Sequence, residues 1–358
     1  MNDILREDAI QIISENDGLK KLFNSKIMIT GATGMIGSTI VNTLLILNKE
    51  FDANINMYLV SRDINKFSEY VLKSENVHVI EQDIINPIKC NEKVDYVIHA
   101  ASPASPLIMR EHPVETNFAN TLGTANSLVY ANKCKSKGFL FVSSREIYGQ
   151  PEDNQEFFYE NGKYGQVDPL IPRNGYAEGK KAAENMCVSF REEYRLNTKI
   201  VRLAHTYGPG MSIYDGRVQA DFLKNVVNNE DIVLKSTGES IRTYTYVSDA
   251  VSAMFKVLLN SNDIVYNVAD EKSKTSIKEL ADTLINIYPE RNLKLKFDIK
   301  NNSNDGCASF TLGILSTDKI KDELNWIPKY SIHDGFKRTI EYIESEIKNN
   351  DKKLVKKF

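Results

Sequence analysis

The segment from Lys26 to Leu47 constrains the fold most. Lys26–Thr30 reads as a short buried strand, GATGMIG (31–37) follows at once, and an apolar helical stretch runs from Ser38 to Leu47. In this setting Gly31 makes the tight turn, Gly34 lets a pyrophosphate approach the backbone, and Gly37 allows helix and strand to pack closely. The helix N-terminus offers unpaired N–H groups and positive dipole to the phosphates. Thr33, Met35 and Ile36 complete the turn and are cofactor-binding candidates with the glycines. The other reading is a glycine-rich turn without a ligand; the strand–turn–helix context argues for the nucleotide.

Further apolar strands are expected at 55–60, 77–80, 94–98, 139–142 and 199–203, with a helix from about Val114 to Cys134. Near-continuous apolar strands alternating with helices imply a parallel sheet covered on both faces. The fold class is therefore α/β, a doubly wound parallel (Rossmann) sheet. Past Tyr207 the pattern loosens: helices are expected near 217–228, 277–287 and 332–347, around a strand at 265–268. A smaller, interleaved C-terminal α/β substrate domain is the natural reading. The expected division is a helical leader at 1–23, a cofactor domain at 24–205 plus about 243–270, a substrate domain at 206–242 and 271–347, and a basic tail at 348–358. The polar stretch from Gln150 to Asn174 is long for a simple connection and suits a functional loop.

Composition excludes other classes. Lys and Arg number 45 against 48 Asp and Glu, a formal net charge of −3. Nucleic acid and anionic membrane both call for clustered positive charge, so neither is an expected partner. Lys352, Lys353, Lys356 and Lys357 read as a solvated tail. No apolar run approaches the roughly 18 to 20 residues that span a bilayer, and no signal peptide is visible in the first residues. Cys90, Cys134, Cys187 and Cys307 lie far apart without CxxC spacing, so no metal site is expected. Buried free thiols in a reducing compartment, the cytoplasm, are the plain reading.

The end of the second strand selects between NAD and NADP, an acid there binding the ribose 2′-hydroxyl and a base suiting a 2′-phosphate. Ser61 takes the usual acidic position and Arg62 follows, which leans to NADP; Asp63 keeps NAD open. Asp83 and Ile84, after the third strand, are candidates for the adenine, and a turn role for Asp83 is equally open.

Tyr176 and Lys180 stand four apart, which puts them on one face of a helix. A neighbouring ammonium stabilises a phenolate, turning Tyr176 into a proton acceptor for an alcohol/ketone couple. Ser144 ends the fifth strand at the ligand-binding edge, where its hydroxyl can bond the same substrate oxygen. Glycine turn, serine and YxxxK in this order are far more specific than any one alone.

Taken together these pieces resemble the extended short-chain dehydrogenase/reductase family, and within it the nucleotide-sugar enzymes. Other matching stretches are HAASPASP (99–106), NTLGT around Asn120, SREIYG (144–149), PLIPRNGYAEGKKAAENMC (169–187), YGPGMSIYDGRV (207–218) and GESIRTYTYVSDA (238–250). The resemblance looks closest to UDP-glucuronate decarboxylases. It implies a Ser144/Tyr176/Lys180 triad that oxidises the sugar C4, a tightly held nicotinamide cofactor that leans to NAD, and Glu146 acting at C5. It also implies cofactor contacts from Ala100, Ala101, Ser102 and Asn120, substrate contacts from Ser102, Ser144 and Tyr244, and diphosphate contacts from Arg217 and Arg242. Relatives commonly dimerise through the helices near 114–134 and 176–194, so a homodimer is expected.

Two positions depart from the resembled pattern. Arg145 stands where decarboxylases have Ser and dehydratases an Asp; a guanidinium cannot protonate a departing hydroxyl, which weakens a 4,6-dehydratase. An inward Arg145 suits a substrate carboxylate and resists its loss as CO2, favouring a uronate C4-epimerase; an outward one leaves the decarboxylase. His205 replaces a substrate-binding Asn, as a hydrogen-bonding substitute or an acid/base group. A 4-keto-sugar reductase fits the NADP lean of Ser61 and Arg62. A non-catalytic, dinucleotide-binding redox sensor is the reading from another class, and an intact proton relay argues against it.

Overall fold

In the computed structural model, which describes residues 1–152, 155–299 and 313–355, the strand expected at Lys26–Thr30 forms with those bounds. It lies inside a seven-stranded sheet. The order is Val265–Val268, Thr198–Leu203, Gly138–Ser144, Tyr96–His99, Lys26–Thr30, Asn56–Ser61 and Val77–Glu81. Every neighbouring pair is parallel. From Lys26–Thr30 the chain builds outward to Val77–Glu81, then crosses back so that Tyr96–His99 pairs on the other side. That reversal is the topological switch point, and ligands of such sheets bind at the carboxyl ends beside it.

Side chains alternate across the sheet. Ile27 and Ile29 join a core with Leu44, Val251 and Phe255, and Met28 joins the opposite one with Val97, Leu128, Phe139 and Ala183. The Met35–Phe51 and Val247–Asn260 helices cover the first face, Pro113–Cys134 and Gly175–Tyr194 the second. The Val247–Asn260 helix has no counterpart in the sequence reading. Every residue from Val247 to Phe255 is buried, its polar Ser248, Asp249 and Ser252 being covered by the leader, where they bond Gln11 and Glu15.

A separate core joins Tyr207, Phe222, Leu223, Leu280, Leu284, Phe336 and Ile340, gathering the Val218–Val227, Ile277–Ile287 and Ile332–Val355 helices. Two short parallel strands, His205–Tyr207 and Tyr244–Tyr246, lie where the chain passes between the two regions. One expected boundary needs correction. Ile314–Leu315 pairs with Phe157–Phe158, and Ile320 and Trp326 are buried in the first core. Ile320 and Trp326 therefore pack on the cofactor side of the expected division, with Ile314–Leu315 in a small sheet of its own beside Phe157–Phe158.

The leader forms the Asp3–Ser14 helix and a 3-10 turn, Asp17–Leu22. Its buried Asp8 pairs with Arg338 at 2.7 Å and accepts from the Tyr246 hydroxyl at 2.9 Å. The last helix extends to Val355, into the expected tail; Lys356, Lys357 and Cys307 lie outside the described residues. Cys187 is buried as expected, but Cys90 and Cys134 are only half-buried, and all three are free thiols. Among the described residues no helix is long and apolar enough to cross a membrane.

Candidate active site

Gly31 adopts φ +70°, and a Cβ there would meet Ala101 N at 2.7 Å and Ala100 C at 2.8 Å. At Gly37 a Cβ would come within 2.2 Å of the Gly31 carbonyl oxygen. These two positions hold the turn against its neighbours. Gly34 differs: a Cβ would meet only the Gly31 oxygen, at 3.4 Å, and Gly34 caps the Met35–Phe51 helix without a side-chain hydrogen bond. An open approach to uncapped N–H groups fits a dinucleotide pyrophosphate. Met35 and Ile36 face the same cleft, while Thr33 stays out of its lining.

At the sheet edge, Ser61 is buried and its hydroxyl donates to the Asp63 carbonyl at 3.1 Å. Arg62 is exposed, with its guanidinium 4.0 Å from Asp83. Asp83 accepts from the Ile85 N–H at 3.1 Å, the turn role. The Ile84 side chain is buried in the second core, over Gly123, which leaves its backbone for the adenine edge. Ala100 and Ser102 line the cleft; Ala101 and Asn120 do not. Asn120 is buried, accepting from Ser102 Oγ at 2.7 Å and donating to the Thr116 carbonyl at 2.9 Å, so its amide is spent on the protein.

Ser144 closes the Gly138–Ser144 strand, and Tyr176 and Lys180 sit one turn apart on the Gly175–Tyr194 helix. Ser144, Arg217 and Arg173 draw the pKa of Tyr176 down. Burial and the Glu146 charge outweigh them and push the phenol up to about 12. The expected lowering by Lys180 is not what the folded site shows. Lys180 Nζ donates to the Val142 carbonyl at 2.7 Å and lies 4.6 Å over the Phe141 ring, against 5.8 Å over Tyr176. Burial pulls its pKa down to about 7, because a desolvated ammonium is costly.

Glu146 follows in a 3-10 turn, Arg145–Tyr148, capped by Ser144. Arg173, at the end of the long polar loop, forks onto both Glu146 oxygens at 2.6 and 2.9 Å. Motif reading passed over Arg173; its only signal was its place just before GYAEGK. The loop is fastened from beneath, where Arg202, paired with buried Glu184 at 2.7 Å, also donates to the Tyr164 hydroxyl at 2.7 Å.

The outward alternative for Arg145 does not hold. Its side chain is buried, at 6% exposure, and Nη2 has no hydrogen-bond partner. Burial pushes its pKa down to about 10, against the pull of Glu146 and with Arg242 and Arg173 adding to the shift; it remains a cation at neutral pH. His205 is held neutral, well below its ordinary pKa, by burial and by Arg145, Arg242 and Arg217. That disfavours the imidazolium and with it a general-acid role. Arg217 donates to the Ala104 carbonyl at 3.0 Å and sits 3.4 Å from Asp215; Arg242 donates to the Ile241 carbonyl at 2.7 Å. Tyr244 is buried with its hydroxyl unpartnered.

The glycine turn, Ser144, Tyr176, Lys180, Glu146 and this basic wall line one cleft of about 1790 Å³. That exceeds the roughly 300–1,000 Å³ of a single small-ligand pocket, so two ligands fit side by side. A family model described as the NAD dependent epimerase/dehydratase family matches residues 27–269. The chain belongs to this family. The membership bears out the resemblance to extended short-chain dehydrogenase/reductases and the expected nicotinamide cofactor. Among curated members, UDP-glucuronic acid decarboxylase 1 of Arabidopsis thaliana is 28% identical, covering 93% of this chain and 72% of that protein. Its namesake from Xenopus tropicalis is 29% identical over 95% and 76%. Among solved structures of the fold, UDP-glucose 4-epimerase from Thermotoga maritima superposes with TM-score 0.74 at 23% identity, covering 90% of this chain and 99% of that one. UDP-glucuronic acid 4-epimerase from Bacillus cereus, in complex with UDP-glucuronic acid and NAD, gives 0.73 at 19% identity, covering 90% and 99%.

Proposed function

We propose that this enzyme oxidises C4 of a nucleotide-linked uronate; release of its carboxylate as CO2, the reaction its UDP-glucuronic acid decarboxylase relatives are named for, is placed first on that kinship, against the pull of the inward Arg145. The observation that carries the reading is the convergence of Ser144, Tyr176, Lys180 and the Glu146–Arg173 pair on the cleft that opens at the glycine turn. A bound nicotinamide supplies the site with a hydride acceptor that later returns the hydride. Tyr176, as the phenolate that the positive charge of a bound, oxidised nicotinamide would favour, takes the C4 hydroxyl proton while Ser144 orients that oxygen. Lys180, held by the Val142 carbonyl, fixes the ribose side of the cofactor pocket. With C4 a ketone, the C5 carboxylate is a β-keto acid: its C–C bond breaks, CO2 leaves, and the electron pair becomes an enolate. C5 is reprotonated on the face beside Glu146, the C4 oxygen regains its proton from Tyr176, and the uronate becomes a pentose. Arg217 and Arg242 meet the diphosphate.

A second reading is a uronate C4-epimerase, in which the ketone turns over and the hydride returns to its other face. Inward Arg145 favours it, since a carboxylate held by a guanidinium is stabilised before the reaction. A dehydratase lacks an acid at 145, and a redox sensor has no use for the relay.

The cofactor region is proposed to comprise 24–205 and 243–270 with the leader on it, and the substrate region 206–242 and the remainder of 271–347. A homodimer through the Pro113–Cys134 and Gly175–Tyr194 helices is supported by exposed Val114, Phe118, Leu122 and Val129 on one and Val188 on the other. The cytoplasm is the proposed location. To test the reaction, the purified protein is incubated with UDP-, CDP-, GDP- and dTDP-sugars and products are identified by mass and NMR. Loss of CO2 supports decarboxylation, unchanged mass with inverted C4 epimerisation, and loss of water dehydration. Stoichiometric consumption of NADPH points to a reductase. Dinucleotide binding without turnover of any sugar sinks the enzyme reading.

A further inference from the structure

Six buried side-chain atoms among the described residues have no hydrogen-bond partner, and four belong to residues lining the same cleft: Arg145 Nη2, His205 Nδ1, Gln219 Nε2 and Tyr244 Oη. Leaving such groups unpaired is costly, so their concentration in one cleft marks a place built for a ligand. Arg145 and His205 are also the two departures from the resembled pattern, and they are electrostatic neighbours. Tyr244 faces His205 across the short parallel strands, ring centroids 5.8 Å apart.

Their chemistry is complementary. His205 Nδ1 is buried without a hydrogen-bond partner. In the neutral ring with its proton on Nε2, Nδ1 is an acceptor that a ligand hydroxyl would satisfy. Arg145 offers a charged donor and Tyr244 a hydroxyl donor. A group that satisfies all three is an anion with an adjoining hydroxyl.

We propose that Arg145, His205 and Tyr244 form one subsite that holds the carboxylate of an acidic sugar and a hydroxyl beside it, selecting sugar acids over neutral sugars. This rests on the nucleotide-sugar reading and adds the residues that set its substrate class. The other source of an anion in the cleft is the nucleotide diphosphate, and the test separates the two.

The test measures affinities of UDP, UDP-glucose and UDP-glucuronate by calorimetry, in a Tyr176→Phe background with cofactor present so that nothing turns over. The expected preference for UDP-glucuronate over UDP-glucose is roughly 10- to 100-fold, the range of one charge-assisted hydrogen bond. Adding Arg145→Met should bring that ratio near one while UDP and UDP-glucose keep their affinity. Should that variant fail to fold, Tyr244→Phe removes only the hydroxyl and should narrow the ratio by about 2- to 10-fold. Equal weakening of all three ligands would assign Arg145 to the diphosphate and overturn the proposal. Equal binding of glucuronate and glucose before substitution overturns it too, with the nucleotide-sugar reading intact. If none of the three binds, the failure lies in that reading.

Discussion

Arg173 holds both oxygens of Glu146, at 2.6 and 2.9 Å, across the mouth of the cleft. A bidentate pair fixes the direction of a carboxylate as well as its charge. Arg173 is a positioning residue acting through Glu146. Arg173→Met should lower kcat by about 10- to 100-fold, the scale of a displaced catalytic group, with KM for the nucleotide sugar little changed. Arg173→Lys should restore part of the loss. Equal losses in kcat and KM, with no rescue by lysine, would mean a general collapse of the loop.

Tyr176 and Ser144 line the same cleft at the carboxyl edge of the sheet. Tyr176→Phe should reduce turnover by about 10²- to 10⁴-fold, the range for general acid–base groups, with cofactor affinity measured by fluorescence titration unchanged. Full activity in this variant refutes its role.

Lys180 ties titration to stability. Its pKa falls from 10.5 in the unfolded chain to about 7 in the fold. Between these values the unfolded state binds the extra proton, so this group's contribution to stability rises with pH. Below the folded value its burial is a constant cost. Thermal melts of Lys180→Met against the unaltered protein should therefore shift in favour of the latter as pH rises from 7 toward 10. A gap that stays flat over that range contradicts the assignment.

Asp8 and Arg338 join the leader to the last helix, with Asp8 at 2% exposure. Arg338→Met leaves that carboxylate buried and uncompensated and should cost about 3 kcal/mol in denaturant unfolding. The double variant with Asp8→Asn should lose less than Arg338→Met alone; additive losses would show that the two do not act as a pair.

Phe118 and Leu122 are exposed on the Pro113–Cys134 helix. Phe118→Glu should move the protein from dimer to monomer in sedimentation velocity at micromolar concentration. An unaltered protein that sediments as a monomer ends the dimer account.

The sheet was legible because its strands are short apolar runs between amphipathic helices, and Lys26–Thr30, Val265–Val268 and the Ile277–Ile287 helix form with the expected bounds. The Val247–Asn260 helix escaped because its polar residues Ser248, Asp249 and Ser252 are buried against the leader, a tertiary contact that no local pattern records. Ser144, Tyr176 and Lys180 were readable from motif and order. Their protonation was not: proximity to Lys180 suggested a lowered phenol, yet desolvation by the surrounding fold pushes it up. The inward turn of Arg145 and its meeting with His205 depend on how the two short strands bring distant segments together, which no local pattern records. Ile84 and Asn120 follow the same logic, since core packing and a Ser102 contact took side chains that motif position offered to a cofactor.

The central claim is oxidation at C4, and single-turnover absorbance of reduced nicotinamide tests it most directly. Cofactor-loaded protein mixed with UDP-glucuronate should show a transient rise and fall, with the rise slowed by deuterium at C4 and abolished in Tyr176→Phe. Turnover of the sugar with no transient and no isotope effect at C4 would contradict the account.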